Sequence, residues 1–323
     1  MLLRTVACLL ALGCVGHALA QSGAYPAKPI RVLVPYAPGG GADAMSRPVF
    51  QKLSEVLGQQ LLADNRGSAG GIIAVELAAK AAPDGYTLLL GSGSTQAINP
   101  SLFTNLPYES PKDFAPITLF VNAPLVLVAN SKFPARTIMD VIAYGKANPG
   151  KINFGSAGSS IGLLSIELLQ LMSGIKVQHI PYKGSGPAFT GVLAGDVDMF
   201  LVNIGVVASA LKDGRVRAIG NGGLQRLQAI PDVPTIDESG LKGYESGSWY
   251  GLMAPAGTPR AIIDRLNAES VKILKSPEMT NRFNIEGAYA VANTPEQFSE
   301  LIRREIAMWA KVVKSAGIQP QPL

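Results

Sequence analysis

The richest chemistry in this chain lies in ten residues between a β-branched run and a helical pattern: Pro35-Tyr-Ala-Pro-Gly39-Gly-Gly-Ala-Asp43-Ala. Glycines in such a turn expose backbone N–H groups at the positive end of a helix, which holds small anions. The stretch also matches G-x-G-x-x-A at Gly39, Gly41 and Ala44, and Asp64 follows about twenty residues later, at the end of the next strand. That is the spacing of a dinucleotide site. Pro38 stiffens the turn against that use. Small-anion binding, dinucleotide binding and a purely structural tight turn are the three readings of this loop.

A second segment, Gly158-Ser-Ser160-Ile-Gly162, matches the G-x-S-x-G of a nucleophile elbow. That chemistry needs an acid and then a histidine downstream. His179 follows, but only Glu167 lies between, and the apolar run ending at Pro181 reads His179 as packed or capped. The hydroxyls and amides of Ser156, Gly158, Ser159 and Ser160 read instead as a second anion cradle before a helix. A third polar loop, Gly91-Ser-Gly-Ser-Thr95-Gln96, follows another strand. Three such loops sit at the carboxyl ends of strands, where open α/β sheets bind ligands.

Catalytic machinery is sparse. The chain carries no H-E-x-x-H, no EF-hand loop and no phosphate-binding G-x-x-x-x-G-K-[ST]. Asp196 and Asp198 share a strand face, where one of them reads as a solvated turn residue. No cofactor and no metal site is expected.

The first twenty residues form a leader. Met1-Leu2-Leu3-Arg4 is a basic start, an apolar run covers 6–15, and Ala18-Leu19-Ala20 is a small-residue cleavage site. Cleavage after Ala20 places the protein in the periplasm. Lipidation at Cys14 is a competing reading, though the apolar run before it is short. Removing 1–20 takes away Cys8, Cys14 and His17, which leaves no thiol for a disulfide, a nucleophile or a zinc site. Across its 323 residues the chain is 47% hydrophobic and 16% charged with a formal net charge of +5, enough apolar side chain to exclude disorder. Lys and Arg are scattered, so no nucleic-acid stripe is present. With 35 Gly and 23 Pro, many short elements are expected rather than a helical bundle.

Those elements alternate, as in βαβ units with a largely parallel sheet. Strands are predicted at 30–35, 61–63, 87–90, 114–121, 125–129, 151–154, 176–180, 198–202, 216–219 and 249–253. Helices are predicted at 42–57, 72–79, 138–148, 161–173, 187–194, 206–212, 259–275 and 295–316. The last two begin with Thr-Pro, which puts a hydroxyl at the N-cap and proline at the first helical position. Trp309 lies on the inner stripe of the last helix with Ile302, Ile306 and Val313. Gly85 supplies a positive-φ turn before a strand. The rhythm restarts midway, which predicts two α/β lobes: 21–124 with 250–323, and 125–249.

Short motifs run nearly end to end. They include Tyr25-Pro-Ala-Lys-Pro-Ile30, Val34-Pro-Tyr-Ala-Pro-Gly-Gly40 with Asp43, Asp64-Asn-Arg-Gly with Gly70-Gly71, and Ala82-Pro-Asp-Gly-Tyr-Thr-Leu88. Further along come Lys112-Asp-Phe-Ala-Pro-Ile117, Asn148-Pro-Gly-Lys151, Pro181-Tyr-Lys-Gly184, Pro231-Asp-Val-Pro-Thr235, Pro255-Ala-Gly-Thr-Pro259 and Trp309. In this order they resemble the Bug receptors, the substrate-binding proteins of tripartite tricarboxylate transporters.

The resemblance implies a two-lobed, type II-like periplasmic binding protein fold closing on a small organic acid, a monomer working with integral-membrane transporter components. It implies that backbone N–H groups and ordered water hold the ligand carboxylate. Carried over, it makes Tyr36 a wall of the cleft. Gly40, Gly41, Ala42 and Asp43 form the first-lobe cradle, with Ser92, Ser94 and Thr95 beside it, and Ser156, Gly158, Ser159 and Ser160 the second.

The sequence departs from the family pattern where Leu201-Val202-Asn203 replaces an aromatic-Asp-(Asn/Ser) motif. A buried acid there would pair with a ligand amine and Val202 cannot, which points to a carboxylate without an amino group. Leu163 or Leu164 stands where a histidine often follows the second cradle. A nicotinamide-dependent exported enzyme using residues 39–44 is the alternative from another class, and a ligand sensor for a signalling partner is a third reading.

Overall fold

Ile30, Val32, Leu33 and Val34 are fully buried, as expected of a parallel strand covered on both faces. The computed structural model describes residues 25–157 and 161–323. β1 (Ile30–Val34) leads to α1 (Gly41–Leu57), β2 (Leu61–Asn65), α2 (Ile72–Ala79) and β3 (Thr87–Ser92). A wide helical turn, Ser94–Ile98, and the short α3 (Asn99–Leu102) follow. The apolar stripe of α1 (Met45, Val49, Phe50, Leu53) packs beneath this sheet, each such side chain stabilising by about 1.5–3 kcal/mol.

The second half comprises β4 (Phe114–Asn130), α4 (Ile138–Ala147), β5 (Ile152–Ala157), α5 (Ile161–Ser173), β6 (Val177–Tyr182), α6 (Ser185–Ala194), β7 (Met199–Asn203), α7 (Ile204–Lys212) and β8 (Val216–Asn221). The chain then returns through β9 (Gly247–Pro255), α8 (Arg260–Leu274), α9 (Pro277–Ile285), β10 (Tyr289–Ala290) and α10 (Pro295–Ser315). The sheet order is β2-β1-β3-β9-β4-β7-β5-β6, with β8 and β10 also on β4.

The two strands predicted at 114–121 and 125–129 are one strand of 17 residues. Its first part pairs with β9 and its second with β7 and β8. Pro124 survives inside it because its partner is Gly247, where a Cβ would sit 2.8 Å from the Ala123 carbonyl oxygen and the Pro124 Cα. Pro116 falls where the register shifts, a position that tolerates a missing donor. The sheet is also less parallel than expected. β1 pairs in parallel with β2 and β3, and β5 with β6 and β7, but every pairing of β4 and β9 is antiparallel. Among the described residues β4 alone pairs in both halves, with β9 along 114–124 and with β7 and β8 beyond it.

α10 spans both halves. Phe298 and Ile302 pack in the cluster that holds Trp249 and Leu33, whereas Trp309, Val312 and Val313 pack with Leu125, Leu164 and Leu169. Thr294 caps this helix in a reciprocal box: its hydroxyl accepts from the Gln297 N–H at 3.2 Å, and the Gln297 side chain accepts from the Thr294 N–H at 3.0 Å. The equivalent cap expected at Thr258 does not form. Pro259 is itself the N-cap of α8, and the Thr258 hydroxyl donates back to the Pro255 carbonyl at 2.8 Å. Gly85 has φ +81°, as its turn requires. Among the described residues no helix is long and apolar enough to cross a membrane.

Candidate functional site

Between the halves lies a cleft of about 390 Å³. Its floor comes from three strand-following turns: Pro35 and Tyr36 after β1, Ser68, Gly70 and Gly71 after β2, and Ser94 after β3. Ile98, Asn99, Leu102 and Phe103 close one side, and Ile161 and Leu164 of α5 face them from the second half. The turn at Gly71 is pressed onto the end of β1. Gly71 has φ +70°, and a Cβ there would lie 2.7 Å from the Pro35 Cβ and 2.9 Å from its carbonyl oxygen. Only glycine fits.

Tyr36 is fixed by a hydroxyl chain. Its OH lies 2.6 Å from the Ser92 Oγ, which lies 3.1 Å from the Thr95 Oγ1, and its ring meets Tyr250 edge-on at 5.9 Å. Burial raises the Tyr36 pKa against the opposing hydrogen bonds of Ser92 and Ser94, so the phenol stays neutral. Ser92 and Thr95 are buried and Ser94 is half-buried, so the first two hold the wall and Ser94 reaches the cleft.

The glycine loop carries a feature that sequence reasoning did not anticipate. Asp43, 4% exposed, accepts the Gly39 N–H at 2.7 Å and the Asn65 amide at 3.1 Å, and pairs with Arg47 at 3.0 Å. Burial pushes its pKa up, but the Gly39, Asn65 and Arg47 contacts outweigh it and the carboxyl titrates below the usual range. Asp43 therefore supplies the loop with an anion of the protein's own. The first intrahelical bond of α1 runs from the Ala44 N–H to the Gly40 carbonyl at 3.1 Å, so the Gly41, Ala42 and Asp43 amides have no acceptor within the helix. Gly40 and Gly41 are exposed and Ala42 is buried, and none of the three lines the 390 Å³ cleft. The positive φ of this turn belongs to Gly39 (+82°), while Gly40 is extended and open around its Cβ position.

Ser156 is buried on β5 opposite Pro181. Gly158, Ser159 and Ser160 lie outside the described residues. Val202 pairs with Val126 and is buried in an apolar cluster with Val128 and Val207, away from the cleft lining. Asn203 is exposed at the N-cap of α7. The structure thus brings Tyr36, Ser92, Ser94 and Thr95 together. It adds Ser68, Gly70 and Gly71, whose Gly-rich turn after β2 was the available signal, and the apolar residues Ile98, Leu102, Phe103, Ile161 and Leu164.

The other chemical motifs resolve into structure. Asp64 accepts from Arg31 and Arg66, each Nε at 2.8 Å, so it is engaged where a ribose would need it free. His179 lies 2.6 Å from Glu167 and packs edge-on against Phe154, the packed histidine expected. Asp198 accepts the Asn153 N–H at 2.7 Å, and among the described residues no three His, Cys, Asp or Glu side chains are grouped to hold a metal.

A two-half α/β sheet with a cleft built from strand-following turns defines a solute-binding protein of the periplasmic type. Residues 45–318 match the family described as the tripartite tricarboxylate transporter family receptor (TctC), and the chain belongs to that family. It is similar to Protein BugT of Bordetella pertussis, 39% identical over 91% of this chain and 90% of that protein. Among solved structures it is similar to R. palustris Rpa4515 with adipate, at 32% identity and TM-score 0.74, over 92% of this chain and 100% of that one. It is also similar to MatC from Rhodopseudomonas palustris with bound malate, at 33% identity and TM-score 0.69, over 90% and 100% of the two chains. The family is one of solute receptors that work with membrane transporter components, and the fold is the two-lobed one of periplasmic binding proteins.

Proposed function

We propose that this chain is an exported, non-enzymatic receptor that closes on a small organic carboxylate without an amino group, mono- or dicarboxylate, and delivers it to a tripartite tricarboxylate-type transporter. The observation that carries the reading is the interlobe cleft, where the Pro35–Tyr36, Ser68–Gly71 and Ser94 turns of one half face Ile161 and Leu164 of the other. No Lys, Arg or His stands among the described residues lining it. Hydroxyls and backbone amides at strand ends suit a single small anion, each aligned helix end contributing on the order of 0.3–2 kcal/mol. Adipate and malate, the acids held by two similar proteins, support the carboxylate class.

In this reading residues 1–20 are a leader cleaved after Ala20 and the mature protein is a periplasmic monomer. The lobes comprise 21–124 with 250–323 and 125–249, so that β4 and β9 are the crossings. Tyr36 and Ser94 meet the ligand, with Ser92 and Thr95 behind them. The backbone amides of Gly40, Gly41, Ala42 and Asp43, together with Ser156, Gly158, Ser159, Ser160 and Asn203, come to bear as the lobes close. Val202 is buried away from the lining, and among the described lining residues no Asp or Glu stands to pair with a ligand amine.

The test is a thermal-shift screen of the exported protein, refolded to strip carried-over ligand, against mono-, di- and tricarboxylates, amino acids and NAD. A ligand at about 100 times its Kd stabilises by roughly 2.7 kcal/mol, a shift of roughly 5 °C for a chain of this size. A carboxylate hit supports the reading. A shift with NAD alone, or with amino acids alone, overturns it.

A further inference from the structure

The walls of the cleft differ from its floor. The hydrogen-bonding groups gather at the turns: the Ser68 and Ser94 hydroxyls, the Gly70 and Gly71 backbone and the Tyr36 phenol. Several are already engaged. Tyr36 is bonded to Ser92, the Gly71 N–H donates to the Ser68 carbonyl at 2.9 Å, and the Asn99 amide nitrogen spends its hydrogens on the Gly70 carbonyl at 2.8 Å and the Tyr108 hydroxyl at 3.1 Å. Around them stand Ile98, Leu102 and Phe103 from the first half and Ile161 and Leu164 from the second, with no polar atom on any of these side chains. A ligand seated by one carboxylate on the turns lays its carbon skeleton against these five.

We propose that the receptor selects carboxylates whose carbon skeleton is bare hydrocarbon and rejects their hydroxylated counterparts, with Ile161 and Phe103 as specificity-determining residues. The proposal rests on the carboxylate reading above. A hydroxyl on the skeleton leaves water for five described side chains that offer no donor or acceptor, beside an Asn99 whose amide hydrogens are already spent on Gly70 and Tyr108, and the loss is not recovered. The deoxy acid gives up nothing there and gains apolar contact instead.

Matched pairs differing by one hydroxyl isolate the effect. Calorimetric titration of the ligand-free full chain compares butyrate with 3-hydroxybutyrate, and succinate with malate. Whichever pair binds, the deoxy member is expected to bind at least tenfold more tightly, a difference of about 1.4 kcal/mol. Two variants then move the preference. Ile161→Asn places an amide on a half-buried position at the cleft, and Phe103→Tyr adds a hydroxyl to the opposite wall. Either variant, melting as the parent does, is expected to narrow the ratio to about threefold or less by improving the hydroxy acid. Equal affinities within the pairs, or tighter binding of the hydroxy acids, overturn the proposal while the receptor reading stands. Failure of every carboxylate, with an uncharged solute or an amine binding instead, overturns both.

Discussion

Glu305 lies on α10 between the residues that pack into one half of the protein and those that pack into the other, and replacing it by Gln removes a titration from that junction. The carboxyl is 8% exposed and accepts the Trp249 indole N–H at 2.8 Å. Burial is the dominant cause that pushes its pKa up to about 7 from the ordinary 4.5. The Glu245 carboxyl adds to the rise, while the Trp249 and Trp309 indoles and Arg304 oppose it. The folded protein therefore holds this proton more tightly than the unfolded chain. Stability from this group is fully present below pH 4.5 and is lost as pH rises through about 7.

At about 1.36 kcal/mol per pH unit the loss amounts to roughly 3 kcal/mol, or roughly 5 °C in Tm for a chain of this length. Glu305→Gln is neutral at every pH, and its amide oxygen still accepts from Trp249. Melting temperatures taken in steps from pH 4 to 9 should nearly coincide for the two proteins at the acid end. The variant should be the more stable by several degrees at the alkaline end. A difference between them that stays constant across the range would refute the reasoning, because it would mean that Glu305 ionises alike in the folded and unfolded states.

Two further changes probe the loops that build the cleft. Gly71→Ala forces a Cβ onto Pro35 at φ +70°, and should cost about 1–3 kcal/mol in urea unfolding while abolishing ligand-induced stabilisation. Asp43→Asn removes the charge that gathers Gly39, Asn65 and Arg47. Because the Asp43 pKa lies below the usual carboxylate range, its stabilisation is present above that range and lost as pH falls through the folded pKa. The variant should be about 1–3 kcal/mol less stable at pH 7, with the gap closing toward pH 3 in the same denaturation assay.

Much of the architecture was legible in the order of residues. The buried run of β1, the apolar spacing of α1, the bounds of α2 and α5 and the Thr294 cap follow from periodicities and local bonds that act within a few residues. The start of α9 was also written locally, as Ser276 before Pro277, but its weak apolar stripe, which buries only Met279 and Phe283, hid the helix that follows. Some of the loops at strand ends, through Tyr36 and Ser94, line the cleft. What the order of residues could not carry was contact between distant segments. Pro124 reads as a strand breaker until Gly247, 123 positions away, is seen to leave room beside it. Asp43 reads as a ligand group until Asn65 and Arg47 are seen around its carboxyl.

The apolar wall of the cleft could not be read either, because Phe103 and Ile161 belong to opposite halves, and in sequence each is an ordinary core residue. By itself, then, the sequence determined most of the elements and the polar turns at the strand ends, which arise from short-range backbone and side-chain physics. Only the tertiary structure decided which turns share a cleft and what faces them. Those relations depend on how β4 and α10 run from one half to the other, and burial against a distant partner leaves no local mark.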